Sequence, residues 1–112
     1  MSYARGNPAD GPYALDAVRG SGGAMAAAND DEIRAGIELL ARTTGVFAET
    51  AGGVTVAVLR KLLASGQLDP SVETVVYNTG DGLKTIDAVS DGARPTAVIA
   101  PTVKAMREAG LL

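Results

Sequence analysis

The stretch VVYNTGDGLKTIDAV, Val75 to Val89, has the pattern of a strand that turns directly into a helix. It continues a β-branched run, Glu73 to Tyr77, which lacks polar alternation, as expected for a strand buried on both faces. Gly80 and Gly82 then lead into residues with helical spacing. Because this strand follows helical patterns and precedes others, the chain is predicted to be α/β.

The turn Thr79-Gly80-Asp81-Gly82 is a candidate ligand site. A hydroxyl and backbone amides at the carboxyl edge of a parallel sheet lie where α/β proteins commonly bind ligands. An ordinary strand-to-helix turn explains the same residues equally well. The segment is not a P-loop, because it lacks the four-residue spacer and the Gly-Lys-Ser/Thr ending, and without a third glycine it is not a dinucleotide fingerprint.

Four other segments have helical patterns. A capping residue at Asn29 or Asp30 precedes a predicted helix from about Asp31 to Thr43, which Gly45 stops. An apolar stripe from Val54 to Leu63 predicts a long, largely buried helix that ends at Gly66. Shorter helical patterns follow Asp10 and run from about Thr102 to Ala109.

The segment Glu49-Thr50-Ala51-Gly52-Gly53 places a carboxylate just before a helix whose first turn lacks bulky side chains. Glycine inside a helix costs about 1 kcal/mol relative to alanine. The paired glycines therefore indicate that the backbone closely approaches a ligand or another element. Glu49 and Thr50 are also explained as ordinary capping residues.

Composition excludes several classes of function. The chain has 112 residues, enough for one modest domain, and contains no His and no Cys. It therefore cannot supply a Ser-His-Asp triad, a Cys nucleophile, a zinc finger or a disulfide, and no metal site is predicted. A net charge of -3 without a basic cluster predicts no nucleic-acid or membrane partner. The first residues lack the apolar run of a signal peptide, and charges interrupt every apolar stretch before it could span a membrane, so a cytoplasmic location is expected.

Three segments together resemble a known family: GNPADGPYALDAVR, GVFAETAGGVTVAVLRKL and VVYNTGDGLKTIDAV. In this order they resemble the C-terminal part of threonine synthase, a pyridoxal-phosphate enzyme of the tryptophan-synthase-β-like fold, over nearly the whole chain. The resemblance implies a few parallel strands packed by helices, as in fold-type-II enzymes. It also implies conversion of O-phosphohomoserine and water to threonine and phosphate, with the cofactor as electron sink.

The resemblance assigns cofactor contacts to particular residues. Thr79 matches the Ser/Thr whose hydroxyl contacts the pyridine nitrogen, and Gly80 and Gly82 would let the backbone turn beneath the ring. The segment Glu49, Thr50, Ala51 and Gly52 matches the one that passes beside cofactor and substrate. Asn7 to Gly11 match a loop near the active-site side of the large domain.

Other parts of the family's site have no counterpart in this sequence. The Schiff-base lysine, the Asn at the phenolic oxygen and the glycine-rich phosphate loop lie upstream of the region that the chain resembles, so no catalytic residue is predicted. We therefore expect residues 1–112 to be a single segment, the C-terminal portion of the large cofactor-binding domain, without the N-terminal catalytic part. We also expect the isolated chain to bind cofactor weakly at best and to be inactive.

Two alternatives remain open from the sequence. The chain could be a subunit of a split enzyme that completes a composite active site with a complementing N-terminal chain. Its apolar strand Val75 to Tyr77 would then dock on that chain. The resemblance also implies a homodimer. It could also be a self-contained small α/β ligand-binding domain.

Overall fold

The computed structural model describes residues 8–91, 95 and 97–112, and these residues form helices joined by turns and extended segments. The four helices predicted outside the stretch Val75 to Val89 are confirmed, and within that stretch the helical pattern after Gly82 forms a 3₁₀ helix. The elements are α1 (Gly11–Gly20), α2 (Asp30–Thr44), α3 (Thr50–Ala64), the 3₁₀ helix (Gly82–Ala88) and α4 (Val103–Glu108).

Helix α2 has strong start and stop signals. The Asn29 side chain accepts a hydrogen bond from the Glu32 amide at 2.9 Å, and the Glu32 carboxylate accepts one from the Asn29 amide at 2.7 Å. This reciprocal capping box satisfies two backbone donors at the helix start. At the other end Gly45 adopts the left-handed conformation, with φ of 76°, which glycine tolerates at little cost.

Helices α2 and α3 cross closely because glycines lie at the contact. A Cβ atom on Gly36 would lie 2.5 Å from the Gly53 carbonyl oxygen, and one on Gly53 would lie 2.6 Å from the Ile33 carbonyl oxygen. Both distances are far below van der Waals contact, so neither position accommodates a side chain without displacement of the helices. Of the two explanations open for Gly53 in the sequence, close approach to another element is the one found.

A small apolar core links this helix pair to the 3₁₀ helix. Ile33, Ile37 and Ala88 are almost fully buried and pack together, and partly buried apolar residues cover them: Ala28, Phe47, Val54 and Val89. The Arg34 guanidinium donates to the carbonyl oxygen of Ala88 at 3.0 Å, which adds a polar contact beside this core. The core therefore holds the segment after Gly80 against α2 and α3.

The strand predicted from Glu73 to Tyr77 is not found. Val75 is 84% exposed and Tyr77 79% exposed, and the described residues form no strand, only an isolated antiparallel bridge between Ala48 and Asp81. β-Branched residues favour extended backbone, but a strand also needs a neighbour to accept its hydrogen bonds. No described residues pair with this segment, so the expected parallel strands are not observed in the part of the chain that the structure describes.

The chain is extended for its length. Its radius of gyration is 18.9 Å, against about 13 Å for a compact domain of roughly this size. Several large apolar side chains are mostly exposed: Tyr13, Met25, Val72, Val75, Tyr77, Leu83 and Val98. Within the described ranges, no helix is both long and apolar enough to cross a bilayer.

Candidate functional site

The two segments singled out in the sequence, Glu49 to Gly53 and Thr79 to Gly82, lie against each other. The amide of Glu49 donates to the carbonyl oxygen of Gly80 at 3.1 Å, and the amide of Gly82 donates to the carbonyl oxygen of Phe47 at 2.9 Å. These two hydrogen bonds form the antiparallel bridge described above. The structure thus brings the start of α3 and the glycine turn into one site, which we call the bridge site.

The glycines of the turn are required by contacts within this chain. A Cβ atom on Gly80 would overlap the Glu49 carboxylate, and one on Gly82 would lie 2.6 Å from the Phe47 ring. Gly82 is buried and Gly80 is half-buried. The backbone turn that the resemblance assigned to these glycines is therefore made here against Glu49 and Phe47.

Gly52 lies on the same side of helix α3 as the turn. A Cβ atom there would overlap the Asn78 amide oxygen and would lie 2.6 Å from the Cβ atom of Ala48. Ala51, next to it, is exposed. The missing side chain at Gly52 lets Asn78, and with it the start of the turn, approach the helix backbone.

Thr79 presents its side chain to solvent beside the bridge. The residue is exposed, and its hydroxyl forms no hydrogen bond within the described part of the chain. Its neighbour Asp81 is used locally, because the carboxylate accepts from the Leu83 amide at 2.8 Å and caps the 3₁₀ helix. Thr79 therefore keeps a donor and an acceptor available for a ligand.

Three residues of the bridge site were not identified from the sequence. Phe47 and Lys84 contact the turn and its partner segment, with Lys84 Nζ 3.9 Å from the carboxylate of Glu49. The third, Thr85, accepts a hydrogen bond from the Thr50 amide at 3.1 Å. Both Lys84 and Thr85 lie in the stretch quoted at the outset, but their helical spacing gave no sign of contacts with α3.

Acidic residues do not form a metal site in the residues described. These ranges contain no group of three or more Asp or Glu side chains placed to hold an ion. Glu49, whose side chain is 20% exposed, has Lys84 as its charged neighbour. The bridge site is therefore a small polar surface with one ion pair.

A separate groove of about 460 Å³ lies between helices α2 and α3. None of the predicted site residues lines it. Its walls are formed by small and charged side chains: Asp31, Glu32, Ala35, Ala57, Arg60, Lys61 and Ala64.

The predicted loop at the amino end is only partly described. Gly6 and Asn7 lie outside the described residues. Pro8 to Gly11 form a turn in which the Gly11 amide donates to the Pro8 carbonyl oxygen at 3.1 Å, leading into α1.

Comparison with known proteins gives two findings. Residues 1–80 match the family described as pyridoxal-phosphate dependent enzyme. The chain is also similar to the threonine synthase of Methanocaldococcus jannaschii, with 46% identity over 83 residues, which is 74% of this chain and 20% of that protein. It is 38% identical over 104 residues to the threonine synthase of Methanosarcina acetivorans, covering 93% of this chain and 26% of that protein.

A mycobacterial relative extends the similarity along almost the whole chain. The threonine synthase of Mycobacterium tuberculosis is 36% identical over 107 residues, which is 95% of this chain and 30% of that protein. The chain thus spans between 20% and 30% of the length of these curated relatives.

Proposed function

Because this chain belongs to the family of pyridoxal-phosphate-dependent enzymes, we propose that it forms the ring-nitrogen side of a threonine synthase active site. Its reaction would be the carbon-oxygen lyase step of threonine biosynthesis, in which O-phosphohomoserine and water give threonine and phosphate. The observation that carries the proposal is the bridge site, in which the two segments resembling the family's cofactor-facing segments are in direct contact. The similarity to three threonine synthases supports this choice within the family.

The described residues fit one side of the cofactor. When bound, pyridoxal phosphate withdraws electrons from the substrate carbon that carries the amino group. The Thr79 hydroxyl, which has no partner within the described chain, would hold the ring nitrogen by a hydrogen bond. A neutral hydroxyl there does not enforce protonation of that nitrogen, as a carboxylate would, and so moderates the electron sink.

The other site residues would shape this side of the pocket. Gly80 and Gly82 hold the backbone of the turn close to Glu49 and Phe47, which fixes the position from which Thr79 projects. The segment Glu49 to Gly52 would pass beside cofactor and substrate, with Ala51 and Gly52 leaving room. None of these residues is assigned a catalytic step.

Binding of a cofactor analogue tests the role of Thr79. Deoxypyridoxine phosphate retains the ring nitrogen and phosphate but lacks the aldehyde, so it cannot react with surface lysines. We expect it to shift the NMR amide signals of Thr79 and Gly80 at millimolar concentration in the unaltered chain. Thr79→Ser should preserve these shifts, and Thr79→Val should weaken binding roughly five- to tenfold, the effect of one lost hydrogen bond.

Two results would contradict this assignment. Absence of any shift at Thr79 and Gly80 at saturating analogue would remove cofactor binding by this chain. Equal binding by the Val and Ser variants would show that the hydroxyl is not the contact.

A second candidate function, a subunit of a composite enzyme, is supported by the exposed segment at Val75 to Tyr77. Val75 and Tyr77 are 84% and 79% exposed, and the radius of gyration of 18.9 Å shows that the chain is extended for its length. An extended apolar segment with unpaired backbone groups is suited to pairing with a strand of another polypeptide. The parallel sheet of the fold-type-II family would then form across two chains, with the partner carrying the covalent lysine and the phosphate loop.

Complementation tests this second function. The chain would be co-expressed with the part of the Methanosarcina acetivorans threonine synthase that precedes the region similar to it, and phosphate release from O-phosphohomoserine would be measured. We expect no turnover by either piece alone and turnover by the pair. A Val75→Lys, Tyr77→Lys double variant should abolish complementation, because charged side chains would oppose pairing of the strand.

The exposed segment at Val75 to Tyr77 argues against a third arrangement, a self-contained ligand-binding domain. A self-contained ligand-binding domain would be expected to cover Val75 and Tyr77, which are 84% and 79% exposed. Three further statements stay predictions: a homodimer, no nucleic-acid or membrane partner, and a cytoplasmic location.

A further inference from the structure

Helix α3 begins without a cap of its own. Glu49 occupies the position before its first residue, yet its side chain accepts no hydrogen bond from the amides of the first turn. Two other α-helices are capped by the residue that precedes them: Asn29 caps α2, and Thr102 caps α4 through the Ala105 amide at 3.1 Å. The carboxylate of Glu49 instead lies over Gly80.

The missing acceptor comes from a residue distant in sequence. The hydroxyl oxygen of Thr85 accepts the hydrogen bond of the Thr50 amide at 3.1 Å, across 35 positions of the chain. Thr85 has φ of -137° and ψ of 43°, outside the helical region, although it lies within the 3₁₀ helix. A β-branched residue favours the extended side of φ, and this interruption accompanies the contact between its hydroxyl and the start of α3.

The hydrogen bond between Thr50 and Thr85 lies outside the bridge and is a third hydrogen bond between the two segments. The bridge itself consists of two backbone hydrogen bonds, from Glu49 to Gly80 and from Gly82 to Phe47. The two bridge bonds involve Phe47 and Glu49, which precede α3. The third bond, from Thr50 to Thr85, reaches the first residue of the helix itself and so adds to the packing contacts that fix the first turn of α3 relative to the turn that carries Thr79.

We propose that Thr85 is a positioning residue, whose hydroxyl caps helix α3 from the 3₁₀ helix and thereby holds the Thr79 turn in its binding geometry. The functional part of this inference rests on the proposed function, in which Thr79 contacts the cofactor ring. The structural part, the cap itself, is independent of any ligand. Thr85 would act through Thr79 and the first turn of α3, without touching the cofactor.

Two substitutions separate the hydroxyl from the shape of the side chain. Thr85→Val preserves the branched shape and removes the acceptor, whereas Thr85→Ser preserves the acceptor. Thr43→Val is the matched control, since the Thr43 hydroxyl bonds only to carbonyl oxygens of its own helix, that of Leu39 at 2.8 Å and that of Leu40 at 3.5 Å. We expect exchange of the Thr50 amide proton to accelerate roughly five- to tenfold in Thr85→Val. It should be unchanged in Thr85→Ser and Thr43→Val.

Signals from the turn show whether the cap positions Thr79. The amide chemical shifts of Thr79 and Gly80 should move in Thr85→Val and return to their original positions in Thr85→Ser. Affinity for deoxypyridoxine phosphate should fall at least about fivefold in Thr85→Val and be retained in Thr85→Ser. The exchange rate of the Gly45 amide, bonded within α2, should stay the same in all variants.

The outcomes distinguish this inference from the proposed function. If the unaltered chain binds no analogue, cofactor binding fails, while faster Thr50 exchange and shifted Thr79 signals in Thr85→Val still support the cap. Unchanged Thr50 exchange in Thr85→Val would overturn the cap even if the analogue binds. If Thr85→Val does not fold, Thr85→Ser decides: a protected Thr50 amide and retained affinity support the hydroxyl as the cap, and their loss overturns it.

Discussion

The ammonium group of Lys61 on helix α3 lies 2.8 Å from the carboxylate of Glu32 on helix α2. The same ammonium group donates to the carbonyl oxygen of Ala27 at 2.7 Å. Glu32 is also a member of the α2 capping box, because it accepts from the Asn29 amide. One carboxylate thus connects the start of α2, helix α3 and, through Lys61, the segment before α2.

Stability should fall in acid partly because of Glu32. The hydrogen bond from Lys61, and next the one from the Asn29 amide, lower the pKa of Glu32 below its ordinary value of 4.5. A group with a lowered folded-state pKa stabilises the fold fully above its unfolded value, and this stabilisation is lost as pH falls through the lower, folded value. Urea unfolding should therefore show a smaller loss of stability between neutral pH and acid in Glu32→Gln than in the original chain.

A charge-matched control separates this effect from general acid sensitivity. Glu38 lies exposed on the same helix and has no hydrogen bond or ion pair within the described residues. Glu38→Gln should leave the acid dependence of stability nearly unchanged. An equal change in both variants would contradict the role given to Glu32.

The glycine contact between α2 and α3 should not tolerate a methyl group. Gly36→Ala would place a Cβ atom 2.5 Å from the Gly53 carbonyl oxygen. We expect a loss of roughly 1–3 kcal/mol in the free energy of unfolding, despite the better helix propensity of alanine. Gly20→Ala at the end of α1, where nothing lies within 4 Å of the added atom, is the control and should change stability by no more than about 0.5 kcal/mol.

Gly80 and Glu49 should be energetically coupled. An added methyl group at Gly80 would overlap the Glu49 carboxylate and displace that side chain. Shortening Glu49 to Ala removes the overlap, so Gly80→Ala should be less destabilising in the Glu49→Ala background. A double-mutant cycle by urea unfolding should give a coupling on the order of 0.5–3 kcal/mol, and additive effects would show that the two residues do not meet as described.

The capping box should contribute measurably to α2. Asn29→Ala removes the acceptor of the Glu32 amide, which is bonded at 2.9 Å. The expected cost is about 1 kcal/mol in the free energy of unfolding, whereas Asn29→Asp should retain most of the stability because Asp is an equally good cap. Thermal or urea unfolding of both variants checks this. An equal loss of stability in Asn29→Ala and Asn29→Asp would show that the hydrogen bond from the Glu32 amide is not what stabilises the start of α2.

The helices were predictable from the sequence because their signals are local. Asn29 and Gly45 delimit α2, and Gly66 follows the end of α3, each through chemistry contained within a few residues. The strand at Val75 to Tyr77 was predicted from an equally local signal, but a strand is completed only by a partner. The described chain supplies none for these residues, and so local preference did not become secondary structure.

The candidate site was predictable only in part for the same physical reason. The paired glycines Gly52 and Gly53 indicated close approach of the backbone to a ligand or another element, and the structure brings their segment against the glycine turn. The contacts themselves join residues far apart in sequence, such as Thr50 and Thr85, and no periodicity or motif specifies such a pair. Thr85 carried a helical pattern, and its departure from helical geometry became visible only in the structure.

The α2–α3 contact and the bridge site differ in the chain entropy that is lost when each forms. Helices α2 and α3 are neighbours in sequence, so their contact closes only a short loop, whereas the bridge must close a loop that contains all of α3 and the segment after it. Closing the longer loop costs more chain entropy, and only a few hydrogen bonds and a small core offset this cost. We therefore expect the turn that carries Thr79 to open at a lower free-energy cost than the helix pair, so that a ligand binding only the closed form would shift this local equilibrium.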